Sequence, residues 1–165
     1  MKFYIKQKVF SFKDKFNITN EAQEEQYHVE GKMFSIKNKL TLFRPDDSEV
    51  LFAEKKLFRI FPQYVIFNAD GSELATVKRK FSLRQNYEVF QGNEELQVDG
   101  NFIGHAFGVM KEGREVATIA KKYFSFGDSY EIDIQDEMNT ELYLFIVVVI
   151  DQIVQAAEKS RNNAN

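Results

Sequence analysis

The sequence predicts a mainly β fold: a closed twelve-stranded antiparallel β-barrel of six hairpin-like repeats with a central buried C-terminal α-helix. Three observations lead there. A phenylalanine recurs six times at nearly constant spacing, the segments between the copies alternate apolar and polar residues, and the final apolar block has no polar face.

The repeat comes first, because a fixed period of 20 to 50 residues marks one supersecondary unit used again and again. Phe10, Phe34, Phe58, Phe81, Phe102 and Phe124 follow at intervals of 24, 24, 23, 21 and 22 residues. Around them stands a basic residue, any residue, Phe and usually Ser: "KVFS" (8–11), "KMFS" (32–35), "KLFR" (56–59), "RKFS" (79–82) and "KYFS" (122–125), with a decayed copy "GNFI" (100–103). Each unit holds two short segments. The first alternates and ends at a turn, as in "QYVIF" before "NADGS" or "NYEVF"; the second opens with Glu and an aliphatic residue and runs into basic residues, as in "EVLFAEKKLF", "ELATVKRKF" and "EVATIAKKYF". Counting along these places Leu51 and Ala53, Ala75 and Val77, and Ala117 and Ile119 on one face, with Thr76 and Thr118 on the other. The predicted strands are 2–9, 15–19, 26–33, 39–43, 49–56, 63–68, 73–80, 86–91, 95–100, 104–110, 114–122 and 129–134. Short connections make them an antiparallel meander, and closing the ring removes two long sheet edges. A ring of that girth encloses more space than its own side chains fill.

Residues 139–160, "NTELYLFIVVVIDQIVQAAEKS", are the predicted filler. Thr140 and Glu141 suit a helix start, Lys159 and Arg161 its end. Apolar residues from Leu142 to Ile150 surround the axis, so the helix requires burial on every side. A membrane span and a thirteenth strand from Ile146 are the alternatives. The unbroken apolar run of nine residues before Asp151 falls short of the roughly 20 that a span requires.

Composition sets the outer limits. The 165 residues fit one domain, with the barrel over 1–136 and the core helix over 139–160. Seventeen Phe and only two Pro agree with an ordered sheet whose strands keep their N–H donors. There is no Cys, which excludes disulfides and thiolate chemistry and agrees with a cytoplasmic location. "MKFYIKQKVF" interleaves lysines with apolar residues and reads as a strand, not a secretory signal. A net charge near −3, from 22 basic and 25 acidic side chains, gives no whole-molecule attraction for nucleic acid or acidic membranes, so an anion site must be local.

The segments "YIKQKVFSFKDKFNI" (4–18), "GKMFSIKNKLTLF" (31–43), "KLFRIFPQYVIF" (56–67), "VKRKFSL" (77–83), "VDGNF" (98–102) and "KKYFSFGDSYEIDI" (121–134), with the closing apolar helix, resemble the LURP-one-related family, itself related to the Tubby C-terminal domain. The resemblance covers nearly the whole chain. It implies a twelve-stranded barrel threaded by an apolar helix. It also brings in two activities of similar proteins: Tubby domains bind phosphoinositide headgroups, and phospholipid scramblases act at membranes.

Enzymatic machinery is hard to find in these residues. His28 and His105 lie in predicted strands, outside any metal-ligand spacing, and read as surface histidines. Ser11, Ser35, Ser82 and Ser125 follow the repeated Phe at strand ends, where a hydroxyl closes a turn. Asp14 and Asp128 occupy equivalent repeat positions, which explains both without an acid–base dyad. No nucleophile elbow or phosphate loop appears, and no catalytic residue, metal or cofactor is expected. The candidate ligand-binding residues are basic: Lys55, Lys56, Lys78, Arg79, Lys80, Lys121 and Lys122. All fall at the same end of equivalent strands, where they can clamp a phosphorylated headgroup or merely keep strand ends soluble. Neighbours on a strand face opposite ways, so only about half of each run can serve one patch. The expected function is a non-enzymatic domain that binds an anionic ligand or phospholipid headgroup, cytoplasmic and peripheral at a membrane surface, with no nucleic acid partner. Two alternatives stand beside it: a protein-interaction scaffold using exposed aromatics such as Phe61, and a scramblase-like protein whose terminal helix leaves the barrel.

Overall fold

The computed structural model describes residues 1–8, 15–32, 38–81, 86–101, 106–124 and 127–163, with the side chains at 8, 32, 101, 121–124 and 127–128 outside the description. Twelve strands follow in order: β1 (Lys2–Lys8), β2 (Lys15–Thr19), β3 (Glu25–Lys32), β4 (Lys39–Phe43), β5 (Glu49–Lys55), β6 (Gln63–Asn68), β7 (Glu73–Arg79), β8 (Tyr87–Gln91), β9 (Glu94–Asn101), β10 (Ala106–Lys111), β11 (Arg114–Phe124) and β12 (Gly127–Ile134). All the predicted strands form, with ends displaced by at most two residues. Each pairs antiparallel with the next, and β1 closes the ring on β12 from Lys2↔Asp133 to Lys6↔Ser129. Closure leaves no strand with an unpaired edge.

The period of 24 is the length of one hairpin. Asn20, Arg44 and Asn68 each open a turn of the same design, in which their N–H donates to the carbonyl four residues on and their own carbonyl accepts from the N–H three residues on, all at 2.9–3.0 Å. A register shift precedes each of these turns, at Ile18/Thr19, Leu42/Phe43 and Ile66/Phe67. The third turn residue is left-handed in every copy: Gln23, Asp47 and Gly71 have φ of 62°, 63° and 87°, a conformation comfortable only for the glycine. In two copies an aspartate braces the turn. Asp46 and Asp70 accept from the N–H and hydroxyl of Ser48 and Ser72, and those bonds hold both carboxyls below their ordinary pKa.

The inner face matches the alternation expected from the sequence: Leu51, Ala53, Ala75, Val77, Ala117 and Ile119 are all buried. Thr76, on the outer face, is also nearly covered, lying between Val65 and Phe90 of the neighbouring strands. Into this ring runs α1 (Thr140–Asn162), preceded by a single 3-10 turn, Glu137–Asn139. By length and composition the stretch Glu137–Asn162 could cross a membrane, yet every residue from Leu142 to Ile153 is buried inside the barrel. The thirteenth strand does not form.

Polar side chains fix the helix at both ends. Asp136 accepts from the Met138 N–H (3.2 Å), Asn139 Nδ2 (3.0 Å) and the Tyr143 hydroxyl (2.7 Å), while Glu141 accepts from the Tyr27 hydroxyl (3.2 Å) and Arg44 Nη2 (3.1 Å). The helix start is thus capped by Asp136 through the 3-10 turn, a device that the Thr140–Glu141 pair does not announce. Towards the helix exit, the buried Asp151 accepts from the Tyr130 hydroxyl and from Gln155 Nε2 (2.7 Å), and Gln155 reaches Gln7 of β1 (3.3 Å).

Two predictions follow from this packing. Phe145 is fully buried, so Phe145→Ala should lower unfolding free energy by about 3–5 kcal/mol in urea titration. The Asp136 carboxyl lies below its ordinary pKa, first because of the Tyr143 hydroxyl and then Asn139. Its contribution is present above the ordinary carboxylate value near 4 and is lost as pH falls through the lower folded value. Asp136→Asn should therefore be less stable at neutral pH and lose less on acidification, read as thermal midpoints between neutral and acid pH.

Candidate functional site

Meander topology sorts connections by end. The turns at 20–24, 44–48 and 68–72 lie at the end where the helix begins, marked by the Arg44–Glu141 and Gln91–Asn139 contacts. The other end, here the rim, carries the β5–β6 and β7–β8 connections and releases the last helical turns, which are exposed at Lys159 and Arg161. Charge is sorted with them. Glu21, Glu24, Asp46, Asp47, Asp70, Asp136 and Glu137 crowd the turn end, whereas 55–62 and 78–81 at the rim each hold three basic residues and no acid. The small net charge conceals a barrel that is acidic at one end and basic at the other.

The rim cluster is built around the start of β6. Lys56 N donates to Gln63 O (2.8 Å) from one side and Arg79 N to Pro62 O (3.3 Å) from the other, with Lys55 opposite Tyr64 and Lys78 opposite Gln63. Lys55 and Arg79 continue the inward positions of Ala53 and Val77, so they stand at the mouth; Lys78 and Lys80 continue the outward position of Thr76. Lys78 Nζ lies over the Phe90 ring at 4.7 Å, and Lys80 Nζ is 3.0 Å from Glu88, whose hydrogen bond raises the lysine pKa. Tyr87, paired with Arg79, is pushed up to about 12 by burial, against the opposing pull of the Arg79 charge. Lys56 is exposed past the end of β5.

Five candidates thus lie at or just past the ends of β5 and β7, on either side of β6. Lys121 and Lys122 lie on β11, four strands round the ring at the same end, opposite Tyr130 and Ser129; their side chains are outside the described residues. So are Ser11, Ser35, Ser82, Ser125, Asp14 and His105, and the side chain of Asp128. His28 faces outward as expected, but it is only 17% exposed: its ring stacks on Phe43 at 5.3 Å between Glu25 and Asp47. Among the described residues, no group of three His, Asp or Glu is placed to hold a metal.

Beside the rim, a cleft of about 120 Å³ opens between the helix exit and the sheet, lined by Lys39, Tyr64, Gln152, Gln155 and Lys159. The buried amide nitrogen of Gln152 has no hydrogen-bond partner among the described residues. Sequence reasoning also passed over three highly exposed apolar side chains, Phe58, Ile60 and Phe81, which stand among the basic residues. A signal for two of them existed: in "KLFRIFPQ" the strand alternation breaks down just before Pro62.

The family model described as LURP-one-related matches residues 1–151. Among solved structures, the X-ray structure of a protein from Arabidopsis thaliana is similar, with a TM-score of 0.67 and 16% sequence identity, over 92% of this chain and 91% of that one. At that identity the likeness is one of fold. No curated protein matches the chain.

The Lys80 and Glu88 side chains are 31% and 28% exposed, so Glu88→Gln should cost at most about 1 kcal/mol in thermal unfolding at neutral pH. Because the folded lysine pKa is raised, the pair's contribution is complete below the ordinary lysine value near 10.4 and is lost as pH rises through the folded value. The difference between variant and parent should vanish in that alkaline range.

Proposed function

We propose that this chain, which belongs to the LURP-one-related family and has the barrel of a Tubby-like domain, works as a non-enzymatic module that binds anionic phospholipid headgroups at a membrane surface through its basic rim. The observation that carries this reading is the segregation of charge along the barrel axis. Lys55, Lys56, Arg59, Lys78, Arg79 and Lys80 come to one end with no acid in their own segments, and Lys159 and Arg161 leave the barrel at that end. A negative surface attracts each such side chain by about 1 kcal/mol within a Debye length. The acidic turn end, repelled by the same surface, orients the barrel rim-down. Lys55 and Arg79 stand at the mouth and Lys159 borders the cleft, so phosphate oxygens meet donors from two directions.

A scramblase-like insertion of the helix is less favoured, because it would withdraw the buried surface from Leu142 to Ile153 and empty the barrel. The test is co-sedimentation with vesicles of phosphatidylserine and phosphatidylcholine at low salt. Retention is expected on these vesicles, not on phosphatidylcholine alone, and should weaken as salt rises; the double variant Lys56→Glu/Arg79→Glu should reduce it about tenfold or more. Failure of the parent protein to bind at low salt rejects the proposal.

A further inference from the structure

The rim is not only basic. Between Lys56 and Pro62 the chain leaves the sheet and displays Leu57, Phe58, Ile60 and Phe61, and next to it the end of β7 displays Phe81. Phe58, Ile60 and Phe81 are 102%, 94% and 89% exposed, so these side chains project into solvent against almost nothing. The two segments form one tip, because the Phe61 and Phe81 rings meet at 5.7 Å and the Lys56–Gln63 and Arg79–Pro62 hydrogen bonds tie their bases to β6. Phe58 also has a φ of 59°, left-handed backbone that a bulky side chain adopts only at an energetic cost and that no packing around this residue repays. Among the described large apolar side chains Phe58 is the most exposed.

From this we infer that the tip enters the headgroup–acyl boundary of an anionic bilayer, with Phe58 and Ile60 as the inserted side chains. The inference rests on the headgroup reading above and deepens it: the partner of the rim is an intact membrane, and a soluble anion satisfies only half of the surface. Three features select a bilayer. The leading side chains of the tip, Phe58 and Ile60, stand clear of the rest of the fold, an arrangement that needs no complementary pocket in a fluid partner. The charges within the loop are all of one sign, Lys56 and Arg59, which complements anionic headgroups, while Lys80 at its flank is paired with Glu88. Arg59, between Phe58 and Ile60, can lay its apolar stem along the interface while its guanidinium stays with the phosphates.

The chain contains no Trp, so Phe58→Trp places a single fluorescent reporter at the tip of the otherwise intact protein. With vesicles of phosphatidylserine and phosphatidylcholine its emission should move to shorter wavelength and be quenched by lipids brominated on the acyl chains; with inositol trisphosphate in solution it should not move. The Phe58→Ser/Ile60→Ser variant should lose vesicle retention about tenfold or more, keep its binding of inositol trisphosphate, and unfold at the temperature of the parent. If Phe58→Trp sediments with vesicles while its emission stays unshifted and unquenched, insertion is wrong and the headgroup reading survives. Absence of any vesicle binding removes both. A concentration-dependent dimer that needs Phe58 and Ile60, without vesicle binding, would make the tip a protein interface and overturn the inference.

Discussion

The space inside a ring of twelve strands is the constraint on which the rest depends. Side chains from a wall that wide do not meet at the centre, and an unfilled apolar cavity forfeits contacts on all its lining. The chain solves this with its own last segment, and the solution dictates the composition of that segment. A helix touched by strands on every side has no use for a polar stripe, so Leu142 to Ile150 became apolar all round. The polar groups that do go in, Asp151 and Gln152, sit near the exit, where Tyr130 and Gln155 satisfy the carboxylate. Apolar character sufficient for a membrane thus arises from a different apolar solvent, the interior of the barrel.

A second constraint is one of parity. In an up-and-down meander the chain returns to the same end every second strand, and the 24-residue unit is two strands long. Whatever the unit carries at a given point is delivered repeatedly to one end of the cylinder. Asx-type turns and carboxylates collect at one pole; the basic residues that precede five of the six repeated Phe collect at the other. Where the repeated Phe is described, at Phe58 and Phe81, it is exposed, so there the period marks a connection between strands and not the core.

Much of this architecture was legible because two different periods were superimposed. Alternation of residues such as Ala75, Thr76 and Val77 gave the strands and their inner face, and the longer period gave their number and their closure. The helix was legible from the absence of any period in Leu142–Ile150. What escaped lay where neither period operates. Asp136 caps the helix through an intervening 3-10 turn, so the usual spacing from cap to first turn is absent. The exposure of Phe58 and Ile60 depends on a left-handed kink and on the course of a loop, which residue identity alone does not specify. The sorting of the basic residues into mouth and outer wall was legible in principle from strand alternation; that Lys78 sits on Phe90 and Lys80 on Glu88 required the neighbouring strand.

The seam between β1 and β12 joins residues about 130 positions apart, Lys2 to Asp133, and the helix that fills the ring follows β12. During synthesis at about 5–20 residues per second, eleven strands must therefore wait with their greasy lining uncovered and their first edge unmated until β12 and the helix emerge. Such long-range closure is slow and leaves sticky intermediates. In a chain of this design the seam and the plug are both supplied by the segments that follow β11.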